Sequence, residues 1–289
     1  MRCWYCSKNV AKSGHNRHIS HAGTGHVRIK KKFSGIERVT TYARATSMKR
    51  KSPEDYRRLK DVGLTRIHSG MESGSIKVLE LIQKGIKPED ILQGGIKVKE
   101  SGISLSEYIM PGVGGKDLSR EHAMETAKIL NQIKPDFIRV RTFAVHPLSP
   151  LQRMIEEGTF KPMSDEEVVG EILLLLENLD KMPTHFRCSD FSLNLLMQVD
   201  GRLDSHKEDM IKEIDKYLSM TREQKQAYSL IQRTYPGMRP VDVVQDEKIM
   251  ESLRKDIEAL EKEEGGFDNY IRKLMASQLP QPQTDCWLK

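Results

Sequence analysis

The chain is poor in cysteine, in aromatic residues and in long apolar runs. Four cysteines scattered over 289 residues cannot make a disulfide framework. A chain of this length can bury a reduced core without one. The apolar run at residues 172–176 falls far short of a membrane span. The first residues also lack the apolar stretch of a secretion signal. These absences exclude a membrane or disulfide-stapled protein, and a reducing, cytoplasmic setting is expected. Aromatic residues are 6% of the chain and apolar residues 37%, against 30% charged, which implies much exposed helix. Acid is missing from residues 1–35, which hold eight Lys or Arg (Arg2, Lys8, Lys12, Arg17, Arg28, Lys30, Lys31 and Lys32). The rest of the chain is slightly acidic, so the basic character belongs to that segment alone. It reads either as a solvated tail or as an arm that meets RNA.

What is present begins with a repeated alternation. Residues 37–43 are β-branched and aromatic enough for a strand. Ser52-Pro53-Glu54-Asp55 then opens a helix, with Ser as cap, Pro in the first turn and acids after it, and Gly63 closes it. Further strands are predicted at residues 64–69, 103–110, 136–145 and 185–188. Helices are predicted at 75–83, 88–102, 118–133, 151–157 and 164–179. Strand and helix at this spacing make βα crossovers, so the strands should be parallel. From Ser205 only helices are predicted, at 207–218, 222–234, 246–264 and 267–276. The fold class is therefore α/β, a partial parallel (βα) barrel or open sheet with a C-terminal all-helical appendage. Four segments follow: a basic Cys/His segment (1–35), the α/β core (36–203), the appendage (204–277) and a Pro/Gln-rich unstructured tail (278–289).

The strand ends carry the chemistry. Arg66-Ile67-His68-Ser69-Gly70-Met71-Glu72-Ser73-Gly74-Ser75 is an alternating run that breaks at Gly-x-Glu-Ser-Gly and passes at once into a helix. Such a break marks the carboxyl end of a parallel strand, where barrels and open sheets place their sites. Three more ends share the character: Tyr42 with Arg44, Glu107 with Pro111 and Gly112, and Arg139 and Arg141 with the His146-Pro147 turn. Carboxylates accept ribose hydroxyls, Arg binds a carboxylate in two places, and open backbone amides read an adenine edge. The set suits a nucleoside-like cofactor.

In this order the motifs resemble the radical S-adenosylmethionine (radical SAM) superfamily, specifically the later half of the core of elongator-like and oxygen-independent coproporphyrinogen oxidase-like proteins. The resemblance runs from Ile36 to about Leu203. It implies S-adenosylmethionine and a 4Fe–4S cluster, with the substrate unnamed. It implies that Glu72 and Ser73 stand beside the cofactor, that Glu107 accepts the ribose hydroxyls and that Lys84 neutralises the methionine carboxylate. Tyr42 and Arg44 would lie at the preceding strand end, with the Pro111-Gly112 loop at the next one.

That family holds its cluster on a C-x3-C-x2-C loop, because thiolates bind iron firmly and tune its potential. Cys3-Trp4-Tyr5-Cys6 resembles the last part of that loop, so Cys3 and Cys6 are the candidate metal ligands. Its first Cys would precede Met1, and a core lacking its front, a fragment or a fusion is the expectation. Cys3 and Cys6 have a second reading. With His15, His18, His21 and His26 downstream they could hold tetrahedral zinc. The stretch through Lys32 also resembles the start of a small zinc-binding ribosomal protein, which implies RNA contacts through residues 1–35. The alternative function is thus a non-catalytic zinc- and RNA-binding module on a barrel-remnant scaffold.

Overall fold

A computed structural model describes residues 36–235 and 238–279 of the chain. Six strands form one sheet in chain order: β1 (Thr40–Tyr42), β2 (Arg66–Glu72), β3 (Ser104–Ile109), β4 (Phe137–Val140), β5 (His185–Arg187) and β6 (Asp200–Arg202). The first five are parallel neighbours, as the βα spacing requires. The sixth is antiparallel to β5 and departs from the all-parallel expectation. Its Asp-Gly-Arg sequence has none of the β-branched or aromatic residues that mark a strand.

The order has a consequence for the site. Parallel crossovers are right-handed, so strands added always on the same side send every crossover to one face. The crossovers here are α1 (Ala45–Arg50), α2 (Pro53–Asp61), α3 (Ile76–Leu81), α4 (Pro88–Glu100), α5 (Gly115–Ile133), α6 (Pro150–Glu156) and α7 (Asp165–Asn178). Ile67, Leu105, Ile138 and Phe186 fill the sheet face that meets them and are at most 2% exposed. Burying each such side chain contributes roughly 1.5–3 kcal/mol. The opposite face is the inside of a partial barrel. It is lined by alternate residues of the same strands, His68, Tyr108, Arg139 and Arg187 among them.

Local signals fix most helix starts. Ser52, Ser164 and Thr221 each close a capping box with the residue three places on. Helix α1 was not expected. It is short and polar, and it forms because Ala45 and Met48 pack on α4 at Gly94, where a Cβ would stand 2.9 Å from the Ala45 carbonyl oxygen. Strand β4 stops at Val140, short of the predicted residue 145, where its partner β3 ends at Ile109; Arg141 N–H still bonds to Ile109 O and Phe143 N–H to Pro111 O beyond it.

The C-terminal helices are α8 (Lys207–Leu218), α9 (Arg222–Thr234), α10 (Pro240–Val243), α11 (Glu247–Glu261) and α12 (Gly266–Ser277). They extend the same core rather than hang from it, since Tyr217, Tyr228 and Leu253 belong to one cluster with Leu105. The buried Arg233 guanidinium ties α9 to Asp165 at the start of α7 and to the Leu193 carbonyl, 3.0 Å away. No helix among the described residues is long and apolar enough to cross a membrane.

Candidate cofactor site at the strand ends

At the end of β2 a bulge puts Glu72 at φ 61°, in the left-handed region. A residue other than glycine is held there only when its surroundings demand it, and such strain collects at functional positions. Here the surroundings are a buried ion pair. Lys84 Nζ lies 2.6 Å from Glu72 Oε1, and both side chains are under 10% exposed. Gly70 makes the space, because a Cβ there would stand 2.6 Å from the same oxygen. Arg44, at the β1 end, donates to the Lys84 carbonyl at 3.4 Å. Met110 N–H donates to the Glu72 carbonyl at 2.9 Å and binds the β3 end to the β2 end. Glu72, Lys84 and Arg44 therefore meet at one rim. Glu72, expected beside the cofactor, and Lys84, expected at its methionine carboxylate, are partners of each other.

A second chain of polar groups lies beneath the rim. Ser73 Oγ is 2.8 Å from His122 Nδ1, and His122 Nε2 is 3.7 Å from Glu171 Oε1, which accepts the Gly112 N–H at 2.7 Å. Burial pushes His122 down to about 4, so its ring is neutral. Ser73 Oγ also accepts from Ser75 N–H at 3.0 Å. Burial raises the Glu171 carboxyl to about 7, against the lowering pull of Ser119 and the Gly112 amide. Sequence reading missed both groups. They lie inside helices α5 and α7, where a His or Glu looks like any surface residue; His122 on an otherwise apolar helix face was the only available signal.

This chain also holds the Pro111-Gly112 loop. Gly112 N–H is spent on Glu171, the Pro111 carbonyl accepts from Phe143, and Val113 N–H turns back to the Met110 carbonyl. The loop is positioned from below and its backbone is saturated at those atoms.

Glu107 was expected to accept the ribose hydroxyls, and its placement corrects this. Strand alternation sets it with Leu105 and Ile109 on the helix-facing side, fully buried, opposite Ser69. Ser69 stands beside it without a well-formed hydrogen bond and is too weak to offset burial, which pushes the carboxyl up to about 8. Glu107 is a protonated core acid at neutral pH, and the interior is lined by its neighbour Tyr108. Tyr42, 75% exposed, stacks on His68 at 5.1 Å, and its hydroxyl is 3.4 Å from that of Tyr108. Cys3, Cys6 and the downstream histidines lie outside the described residues. Among the described residues no group of three or more His, Cys, Asp or Glu could hold a metal ion. Cys188 is buried and its thiol is pushed well above the usual range by burial, as suits an inert core thiol.

Residues 22–128 match the model of the Radical SAM superfamily. Within residues 22–128 the chain carries part of a radical SAM core. The matched stretch contains Glu72, Lys84 and His122 and stops before β4. Two curated proteins are similar to part of this chain, both named tRNA uridine(34) acetyltransferase. That of Methanocaldococcus jannaschii is 29% identical over 129 residues, 44% of this chain and 23% of its own length. That of Methanocaldococcus infernus is 27% identical over 122 residues, 42% of this chain and 23% of its own. The chain thus spans about a quarter of the length of these relatives. Among solved structures, Methanocaldococcus infernus Elp3 with an N-terminal deletion aligns at TM-score 0.47 and 24% identity, over 64% of this chain and 43% of that one. Methylornithine synthase aligns at TM-score 0.42 and 13% identity, over 68% and 50%.

Proposed function

We propose that the chain binds S-adenosylmethionine at the rim formed by the ends of β1, β2 and β3, together with a 4Fe–4S cluster whose thiolates include Cys3 and Cys6. The supporting observation is the strained Glu72, held at positive φ against Lys84 beside the Arg44-bearing β1 end. The donor set suits an adenosyl amino acid. Glu72 accepts from hydroxyl or ammonium groups, and Lys84 and Arg44 face a carboxylate. Pro111 and Gly112 shape the rim, and Ser73 holds it from below. Glu107 has no contact with the cofactor and acts through the core. When bound, the reduced cluster supplies an electron that cleaves the sulfonium of S-adenosylmethionine.

Anaerobic reconstitution with iron and sulfide, followed by metal analysis and equilibrium S-adenosylmethionine binding, tests this reading. The expected result is a cluster lost in the Cys3→Ala, Cys6→Ala double variant, and cofactor affinity lowered at least tenfold in Glu72→Gln. A folded protein that takes up no cluster and binds no S-adenosylmethionine refutes it.

A further inference from the structure

The interior face holds more positive charge than its own acids neutralise. Arg66, Arg139, Arg141 and Arg187 lie on or just beyond the interior positions of β2, β4 and β5. Two carboxylates, Asp190 and Asp200, answer them. Among the described residues Arg66 makes no ion pair and feels Asp136 only at longer range; it lies 4.0 Å over the Phe137 ring and donates to Ser104 Oγ at 3.1 Å. The Nε atoms of Arg139 and Arg187 are buried without a hydrogen-bond partner. His68 adds no charge, since burial and the nearby Arg139, Arg66 and Arg141 push it down to about 4.

Asp190 is the informative group. It sits on the connection between β5 and β6, and its two oxygens are divided between two arginines. Oδ2 takes Arg139 Nη1 and Oδ1 takes Arg141 Nη1 at 2.7 Å. Arg141 is further held between the rings of Tyr108 and Phe191, at 4.8 and 4.9 Å. A planar oxyanion bridging two fixed guanidinium groups is the geometry of carboxylate and phosphate recognition. The acid that now fills it comes from a connecting segment, not from the sheet that fixes the arginines.

We infer that Arg139 and Arg141 form the site for an oxyanion group of the substrate, a carboxylate or a phosphate ester, and that Asp190 occupies this site in the ligand-free chain and is displaced on binding. The site lies on β4 and its continuation, beyond the Glu72 rim, so it accepts a molecule other than the cofactor. It rests on the proposed function only in taking that molecule to be the substrate.

Removing an internal competitor should strengthen binding, which a merely structural Asp190 would not do. The probes are phenyl phosphate and phenylacetate, with benzyl alcohol as the uncharged control, titrated calorimetrically into the full chain. Asp190→Asn should bind at least one anionic probe tenfold or more tighter than the unaltered chain, and benzyl alcohol not at all. A tighter phenyl phosphate assigns a phosphate ester, and a tighter phenylacetate a carboxylate. Arg141→Gln in the Asp190→Asn background should abolish the gain and Arg141→Lys should keep part of it. Asp190→Ser replaces Asp190→Asn should the latter fail to melt cooperatively. No gain in either Asp190 variant, or a gain that survives Arg141→Gln, overturns the proposal. Each titration is repeated with saturating S-adenosylmethionine. Displacement of the probe by it places the probe at the cofactor rim and overturns this inference alone. Probe binding in a chain that binds no S-adenosylmethionine upholds the anion site and refutes the cofactor reading.

Discussion

Glu72 and Lys84 form an ion pair across the β2–α3 unit, with 2.6 Å between Oε1 and Nζ and almost no solvent on either side chain. The pair crosses only twelve residues of sequence, yet one partner is held in a left-handed backbone conformation to make it. Breaking a buried pair from one side leaves an uncompensated charge, at a cost of about 3–5 kcal/mol. Lys84→Met and Glu72→Leu should each destabilise the chain by that order in urea unfolding. The double variant Glu72→Leu, Lys84→Met should recover most of the stability, because no lone charge remains. It should not recover S-adenosylmethionine binding. A double variant no more stable than the singles would show that the pair is not coupled.

The Ser73–His122–Glu171–Gly112 chain joins two rim loops through the helical layer. Glu171→Ala removes the acceptor of a buried amide and should cost about 1–3 kcal/mol. Its local signature is faster hydrogen exchange at Gly112 and Val113, with Glu171→Gln retaining much of the protection because its amide oxygen still accepts. Equal exchange in Glu171→Ala and the unaltered chain would count against a positioning role.

The sequence shows some parts of this molecule and hides others for physical reasons. Helices α2, α4 and α7 were legible because Ser52-Pro53, Pro88 and Ser164 are local start signals that hold whatever the tertiary context. The β2 end was legible because the alternating run breaks at Gly-x-Glu-Ser-Gly and a helical pattern starts at once. Helix α1 was not legible, since its stability comes from contact with Gly94, fifty residues away. Glu107 was placed on the wrong side of the sheet. A buried strand with apolar residues on one face and Ser and Tyr on the other gives no sign of which face is the barrel interior. Only the strand order, with all crossovers on one side, decides it. The Arg139–Asp190–Arg141 bridge was half legible: the arginines stood out at a strand end, but their acid comes from a loop fifty residues on.

Two buried acids make stability depend on pH. Glu107 is raised to about 8 and Glu171 to about 7, both by burial. Between pH 6.5 and 8 the unfolded chain has already released both protons, while the native chain gives them up only across that window. The native state therefore binds more protons in that window, and stability falls as pH rises. His68 and His122, held neutral in the native chain, oppose the trend by roughly a few tenths of a kcal/mol each, because half of the unfolded imidazoles are still protonated at pH 6.5. The expected net loss from pH 6.5 to 8 is on the order of 1–2 kcal/mol by proton linkage. Glu107→Gln should flatten most of the slope and Glu171→Gln the remainder nearest pH 7. Urea unfolding at several pH values measures it; a flat profile in the unaltered chain would contradict the buried, protonated state of Glu107.

Two glycines should respond in opposite ways to alanine. Gly74, directly after the Glu72-Ser73 turn, packs against the backbone of α5, where a Cβ would stand 2.3 Å from the Glu125 carbonyl oxygen and 2.7 Å from Thr126 Cα. Backbone atoms inside a helix cannot step aside as a flexible side chain can, and the Gly74 N–H bond to Thr126 Oγ1 at 2.9 Å would be lost with the displacement. Gly170, in the middle of α7, has open space at its Cβ position. There alanine adds nothing to clash and removes freedom from the unfolded chain, so Gly170→Ala should stabilise by about 0.5–1 kcal/mol. Gly74→Ala should destabilise by more than that and should also weaken S-adenosylmethionine binding, because moving residue 74 moves Ser73 and Glu72 with it. If Gly74→Ala melts with the unaltered chain, the β2–α3 turn is not pinned to α5, and the rim around Glu72 has some other support.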